Sequence, residues 1–209
     1  MNARRPSGEV RIIGGRLRGS KLPVADSPGL RPTSDRVRET LFNWLQPVLP
    51  GARVLDLFAG TGALGFEAAS RGAAEVLLLE RDARLAASLR ASAERLKVER
   101  VAVQCVDALD WLGLPDGRRF DLVFLDPPFA DSLWERVAAR LAPWLAPKAW
   151  VYCEMRLEAG FTLPPGWTEH RSGCTREVIY TLFRVEGGQP EESAVTLPAI
   201  PISADPAKA

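Results

Sequence analysis

The chain has 209 residues, 46% of them hydrophobic and 25% charged, with a formal net charge of +1. That length suffices for one domain with a sizeable core plus a small extension, and the composition is ordinary for a soluble globular protein. No apolar run approaches the roughly 20 residues of a membrane span, the basic N-terminus lacks a signal-type apolar stretch, and three scattered cysteines with a single histidine exclude a disulfide framework and a multi-histidine metal site.

The charge is unevenly placed. Residues 1–38 carry nine basic against three acidic side chains, a net +6, so the remainder is acidic. Such an asymmetry points to an arm that binds a polyanion. Residues 1–8 read as disordered. From Val10 to Val24 the pattern suggests a small hairpin: Val10 to Ile13, a turn at Gly14-Gly15, then alternating Arg16, Leu17 and Arg18. After a loop from Ser27 to Pro32, Thr33 or Ser34 offers an N-cap and Asp35 an acidic first turn for a helix to about Leu45. Val37, Leu41 and Leu45 form its apolar stripe, broadened by Phe42 and Trp44. Arg36 and Arg38 lie off the centre of that stripe and are candidates for phosphate contact. Pro47 and Pro50 end the helix.

From Arg53 strands and helices alternate, the mark of an α/β doubly wound, mostly parallel sheet. Val54 to Phe58 reads as a buried strand interrupted only by Asp56. Gly60, Gly62 and Gly65 follow with G-x-G-x-x-G spacing and open a helix from Ala63 to Ser70. A second strand, Glu75 to Glu80, ends in an acid 20 residues after Gly60, where a ribose diol is bound in nucleotide-type folds. Asp82 caps a helix over residues 83–97. A third strand, Val101 to Val106, leads through Asp107 into a short helix, Ala108 to Leu112. The fourth strand, Phe120 to Leu125, runs into Asp126-Pro127-Pro128-Phe129. A helix over 133–145, a strand over 149–154, and an antiparallel pair at 167–171 and 178–184 complete the predicted seven-stranded sheet. Residues 187–209, rich in Pro, Ala, Ser and Glu, read as disordered.

Ligands of open α/β sheets lie beyond the carboxyl ends of the strands. Four acids, Asp56, Glu80, Asp107 and Asp126, fall at such ends or one residue past them. Asp56 would repel a pyrophosphate but attract the sulfonium and ammonium groups of S-adenosylmethionine. Glu80 suits the ribose, and Asp107 with the Ala108 backbone suits the adenine. Two prolines after Asp126 fix the backbone and remove two N–H donors, which leaves the Asp126 carboxylate and the Pro127 carbonyl as acceptors for an exocyclic amine. Phe129 can stack on the base that carries this amine.

The Asp-Pro-Pro-Phe loop behind Phe58-Ala59-Gly60-Thr61-Gly62 resembles the amino methyltransferases of nucleic acids. Arg11-Ile12-Ile13-Gly14-Gly15 and the segment Arg31-Pro32-Thr33-Ser34-Asp35-Arg36-Val37-Arg38-Glu39-Thr40-Leu41-Phe42-Asn43-Trp44-Leu45 narrow this resemblance over about residues 9–185. They are similar to the bacterial family that methylates N2 of a guanine (966-type) in 16S ribosomal RNA. The resemblance implies a Rossmann-like S-adenosylmethionine-dependent methyltransferase fold and no metal. It further implies a cytoplasmic monomer acting on 16S rRNA in the small ribosomal subunit or an assembly intermediate. On this reading residues 1–46 form an RNA-binding extension, 47–185 the methyltransferase domain and 186–209 a tail. Asp56, Phe58, Gly60, Gly62, Glu80, Asp107 and Ala108 bind the cofactor, and Asp126, Pro127 and Phe129 serve catalysis. Arg11, Arg16, Arg18, Arg31, Arg36 and Arg38 grip phosphates around the extruded base. An adenine-N6 methyltransferase of DNA or RNA fits the proline loop as well. An NAD(P) oxidoreductase fits the glycines but is opposed by Asp56, and a non-catalytic RNA-binding factor fits the basic arm.

Overall fold

A computed structural model describes residues 8–24, 34–127, 133–156 and 163–186. Seven strands form one sheet in the order β5-β4-β3-β6-β7-β9-β8. They are β3 (Arg53–Asp56), β4 (Glu75–Glu80), β5 (Val101–Cys105), β6 (Phe120–Leu125), β7 (Leu145–Arg156), β8 (Trp167–Cys174) and β9 (Val178–Glu186). The first five run parallel, and β9 pairs antiparallel with both β7 and β8. The central strands are buried on both faces, so they read as continuous apolar runs and not as alternating ones. Their side chains still alternate between two cores. Val54, Val76, Leu78, Leu122, Phe124 and Tyr152 face one; Leu55, Leu77, Leu79, Val123, Leu125 and Val151 face the other.

The first core is covered by α1 (Asp35–Leu45), α2 (Ala63–Ser70) and α3 (Ala83–Arg95), the second by α4 (Ala108–Leu112) and α5 (Leu133–Ala138). Ser34 caps α1, its hydroxyl accepting from the Val37 N–H at 3.3 Å, and Asp82 caps α3. Phe42 of α1 meets Phe124 edge-on at 6.0 Å between ring centroids, and Trp44 stacks on Tyr180 at 5.7 Å. The N-terminal extension therefore shares the core of the sheet.

Two expectations are corrected. The helix expected to reach residue 145 stops at Ala138; Pro143 bars any continuation through to 145, and a 3-10 turn, Ala142–Trp144, with that proline near its start takes its place. Strand β7 then starts at Leu145, and Pro147 falls where its register against β6 jumps from Phe120↔Leu145 to Leu122↔Trp150. The N-terminal hairpin also differs. Its strands are β1 (Glu9–Arg11) and β2 (Lys21–Pro23), while Arg16 to Gly19 form a turn and not a strand.

Tertiary docking gives the reason. The Ile13 and Gly14 N–H groups donate to the two oxygens of the Glu67 carboxylate, each at 2.7 Å, and the Leu17 N–H donates to Ser70 Oγ at 2.8 Å. The Arg16 N–H donates to the Ser70 carbonyl at 2.8 Å. The loop is thus seated on the C-terminal turn of α2. Gly15 has φ +72°, and a Cβ there would collide with the Ser70 carbonyl. Gly15→Ala is therefore expected to cost about 3 kcal/mol, from the left-handed backbone and the overpacking together. Chemical denaturation checks this; an unchanged midpoint would show that the loop docks otherwise.

Candidate active site

The site is built where β3, β4, β6 and β7 end. Between β3 and α2 the chain turns through Gly60 (φ +51°) and Gly62 (φ +76°), angles that favour glycine. Gly65 sits where a Cβ would run into Leu78 Cδ2, so only glycine lets α2 lie this close to β4. The turn is pinned across neighbouring strands: Leu57 N–H donates to the Phe124 carbonyl at 3.2 Å and Ala59 N–H to the Leu79 carbonyl at 3.0 Å. Glu80 braces the same turn from β4. Its Oε2 accepts from the Gly60 N–H at 3.0 Å and its Oε1 from the Asp82 N–H at 2.8 Å.

Asp56 is buried beneath this turn. Burial pushes its carboxyl up to about 7, against hydrogen bonds from the Gly65 and Phe58 backbone and with a smaller contribution from Glu80. An acid with a raised folded value contributes stability fully present below its unfolded value near 3.8 and lost as pH rises through about 7. The ligand-free protein is therefore expected to lose stability between those values, and Asp56→Asn to lose part of that slope. Denaturation of both proteins along a pH series checks it; parallel profiles would contradict it.

Asp126 follows β6 directly and keeps part of its surface in solvent. Its carboxyl is nevertheless held well above the usual carboxylate range, first by burial, then by Glu154 and Asp56. The strand register explains the company. Phe124 pairs with Tyr152 and Leu125 with Cys153, so Asp126 and Glu154 follow as neighbours one step beyond. Glu154 is buried, and its Oε1 accepts from the Tyr152 hydroxyl at 2.7 Å. Burial and Glu154 raise the Tyr152 phenol as well. Two carboxyls this close cannot both ionise cheaply, so the pair holds a proton readily. Sequence reasoning gave Tyr152 and Glu154 no role. Their signal was the period of two along β7, which puts both side chains on one face of the sheet.

Asp107 is placed as an N-cap, its Oδ1 accepting from Leu109 N–H at 2.8 Å, with Ala108 beginning α4. Pro127 is buried directly after Asp126. Phe129 and Arg31 lie outside the described residues. The glycine turn, Glu80, Asp56 and Asp126 are brought together; most of the arginines are not. Arg11 and Arg36 expose their side chains. Arg16 and Arg18 lie where the arm docks on the far end of α2, at the amino edge of the sheet, not around Asp126.

Arg38 requires a correction. Expected to grip phosphate, it is instead completely buried. Its Nη2 donates to the Arg11 carbonyl at 2.9 Å and to Asp35 Oδ1 at 2.6 Å, and its Nη1 lies 3.8 Å from Glu67 Oε2. The fully buried Glu67 also binds Arg71 Nε at 2.7 Å. Arg38 is thus an internal tie between α1, α2 and the arm, with no surface to offer a phosphate.

A family model described as conserved hypothetical protein 95 matches residues 10–184. The chain is 47% identical over 183 residues to the ribosomal RNA small subunit methyltransferase D of Escherichia coli K12, covering 86% of this chain and 92% of that one. It is 44% identical over 182 residues to the protein of the same name from Haemophilus influenzae, covering 85% and 94%. A solved structure of a putative methyltransferase from Escherichia coli superposes with a TM-score of 0.81 at 43% identity, over 87% of this chain and all of that one.

Proposed function

This chain belongs to the conserved hypothetical protein 95 family and to the small-subunit ribosomal RNA methyltransferases D, and from that premise we propose that it transfers a methyl group from S-adenosylmethionine to the exocyclic N2 of a guanine in 16S rRNA. The single observation that carries the chemistry is the acidic edge formed by Asp56, Glu80, Asp126 and Glu154 around a glycine turn. Carboxylates there suit a ligand with a cationic end and a ribose, and would repel a pyrophosphate, which argues against a nicotinamide cofactor.

The bound donor supplies an electrophilic methyl group on a sulfonium; the rest falls to the chain. Glu80 is the residue for the ribose diol, exchanging its hold on the Gly60 N–H for the hydroxyls. Phe58, Gly60 and Gly62 line the approach, and Asp107 with Ala108 faces the adenine. Guanine N2 is a poor nucleophile because its lone pair is delocalised into the ring. Hydrogen bonds donated by its N–H groups to Asp126 and the Pro127 carbonyl favour a pyramidal nitrogen and free that pair. As the C–N bond forms and the C–S bond breaks, the N2 proton passes to the Asp126 carboxylate, with Glu154 beside it to share that proton. Holding the amine in line with the methyl contributes most of the rate, of order 7–11 kcal/mol in favourable cases. The base leaves its stack to enter, and Phe129 is its stacking partner.

The substrate is rRNA within the small subunit or its assembly intermediate, and the enzyme acts as a cytoplasmic monomer. No described helix is long and apolar enough to cross a membrane. Residues 1–46 serve as the RNA-binding extension and 47–185 as the catalytic domain. The test is methyl transfer from labelled donor to small subunits, free rRNA and DNA, with the modified nucleoside identified after digestion. N2-methylguanosine from 16S rRNA supports the proposal; label in N6-methyladenine would replace it with the adenine reading.

A further inference from the structure

We propose that the amino edge of the sheet carries a second RNA-binding groove, formed by Arg16, Lys97 and Arg100, which holds backbone phosphates of the substrate RNA away from the reacting base. The inference rests on the rRNA reading above and extends its basic arm, through Arg16, to Lys97 and Arg100, which that reading does not use. An open groove of about 630 Å³ is lined by Arg16, Gly72, Ala74, Lys97, Glu99 and Arg100. Three cations face one acid, and none of the three forms an ion pair among the described residues.

The groove is assembled from three separate stretches of chain. Arg16 is delivered by the docked arm, its N–H on the Ser70 carbonyl at 2.8 Å. Arg100 is pre-oriented by Nη1 donating to the Ala73 carbonyl at 2.9 Å, which leaves its other donors for a ligand. A guanidinium fixed in this way suits phosphate oxygens.

A second observation comes from the backbone. Lys97 follows the C-cap of α3 with φ +52°, the sole non-glycine residue with positive φ among the described residues. This position ordinarily takes glycine, because a Cβ is strained there. A lysine held in that conformation gives up stability, which a gain in binding offsets.

The groove is far from the chemistry. Strand β4 begins beside Ala74 and ends at Glu80, a run of about 17 Å at the usual rise per residue. Phosphate contacts here carry no sequence information; they set the orientation of a folded RNA whose target base enters at the opposite edge.

Lys97→Gly and the pair Lys97→Gly with Arg100→Gln test this against the wild type, using a 16S rRNA transcript in filter binding over a salt series. Each lost phosphate contact lowers the slope of log affinity on log salt by about one. The single variant is therefore expected to lose about one unit of slope and the double about two. With whole subunits as substrate, KM rises while kcat is kept. Lys97→Gly melts higher than the wild type, so weaker binding cannot be blamed on misfolding. A higher melting point with unchanged slope and KM would overturn the groove. Should the wild type bind the transcript yet methylate no rRNA, the functional reading fails and the slopes still decide the groove.

Discussion

Asp126→Asn is expected to slow methyl transfer by about 10²–10⁴-fold while S-adenosylmethionine still binds. The substitution keeps the size of the side chain and one acceptor oxygen, but it removes the negative charge and with it the base that takes the proton. It also dissolves the carboxyl pair with Glu154, which neighbours Asp126 in the β6–β7 register. The Glu154–Tyr152 contact at 2.7 Å is left in place. Single-turnover transfer, with donor binding measured separately, checks the result. A rate close to wild type would take Asp126 out of the chemistry and leave it a charge that attracts the donor.

The second large effect is structural. Glu67→Gln is expected to destabilise the protein by about 3–5 kcal/mol, because it strips a buried guanidinium of its counter-charge. Arg38 is fully buried, and its remaining partner Asp35 is 76% exposed. The same substitution weakens the grip on the Ile13 and Gly14 amides, each now bound at 2.7 Å. Those two amides should therefore lose hydrogen-exchange protection before the sheet does. Arg38→Met should cost less, since Glu67 keeps both amides and Arg71. Equal losses for the two variants would show that the charge pair, and not the seating of the arm, dominates.

Helix α2 joins the two halves of this account. Its first residue follows the glycine turn, and its last turn carries Glu67 and Ser70. Eight residues, about 12 Å of helix, separate the cofactor turn from the seat of the basic arm. Both ends rest on glycines placed for close approach: Gly65 against Leu78, Gly15 against Ser70.

Much of this architecture is legible in the sequence because its causes are local. A run such as Val76-Leu77-Leu78-Leu79 between turn residues is a buried strand, and the glycine spacing after Val54 to Phe58 is a strand–turn–helix. Ser34 and Asp82 announce their helices by capping chemistry. What escaped reading depends on partners distant in sequence. Gly14-Gly15 has the local signature of a hairpin turn, yet its purpose is a carboxylate 53 residues further on. Arg38 stands three, four and seven residues before Leu41, Phe42 and Leu45, on the buried stripe itself, so the helical period already marked it as interior, and its charge alone suggested a surface role. Glu67, a lone acid in the otherwise apolar Ala63–Ser70 helix, was the available clue. Pro143 was visible too, and should have ended the helix before residue 145. The Glu154–Asp126 neighbourhood needed the order of β6 and β7 in the sheet, which periodicity alone does not supply.

The central claim is that the carboxyl edge around Gly60, Glu80 and Asp56 holds the methyl donor. Calorimetric titration of the purified protein with S-adenosylmethionine and with S-adenosylhomocysteine tests it most directly. One site per chain is expected for each ligand, weakened in Glu80→Gln, with the sulfonium form losing more than the thioether in Asp56→Asn. Absence of binding by either ligand, or affinities indifferent to both substitutions, would contradict it.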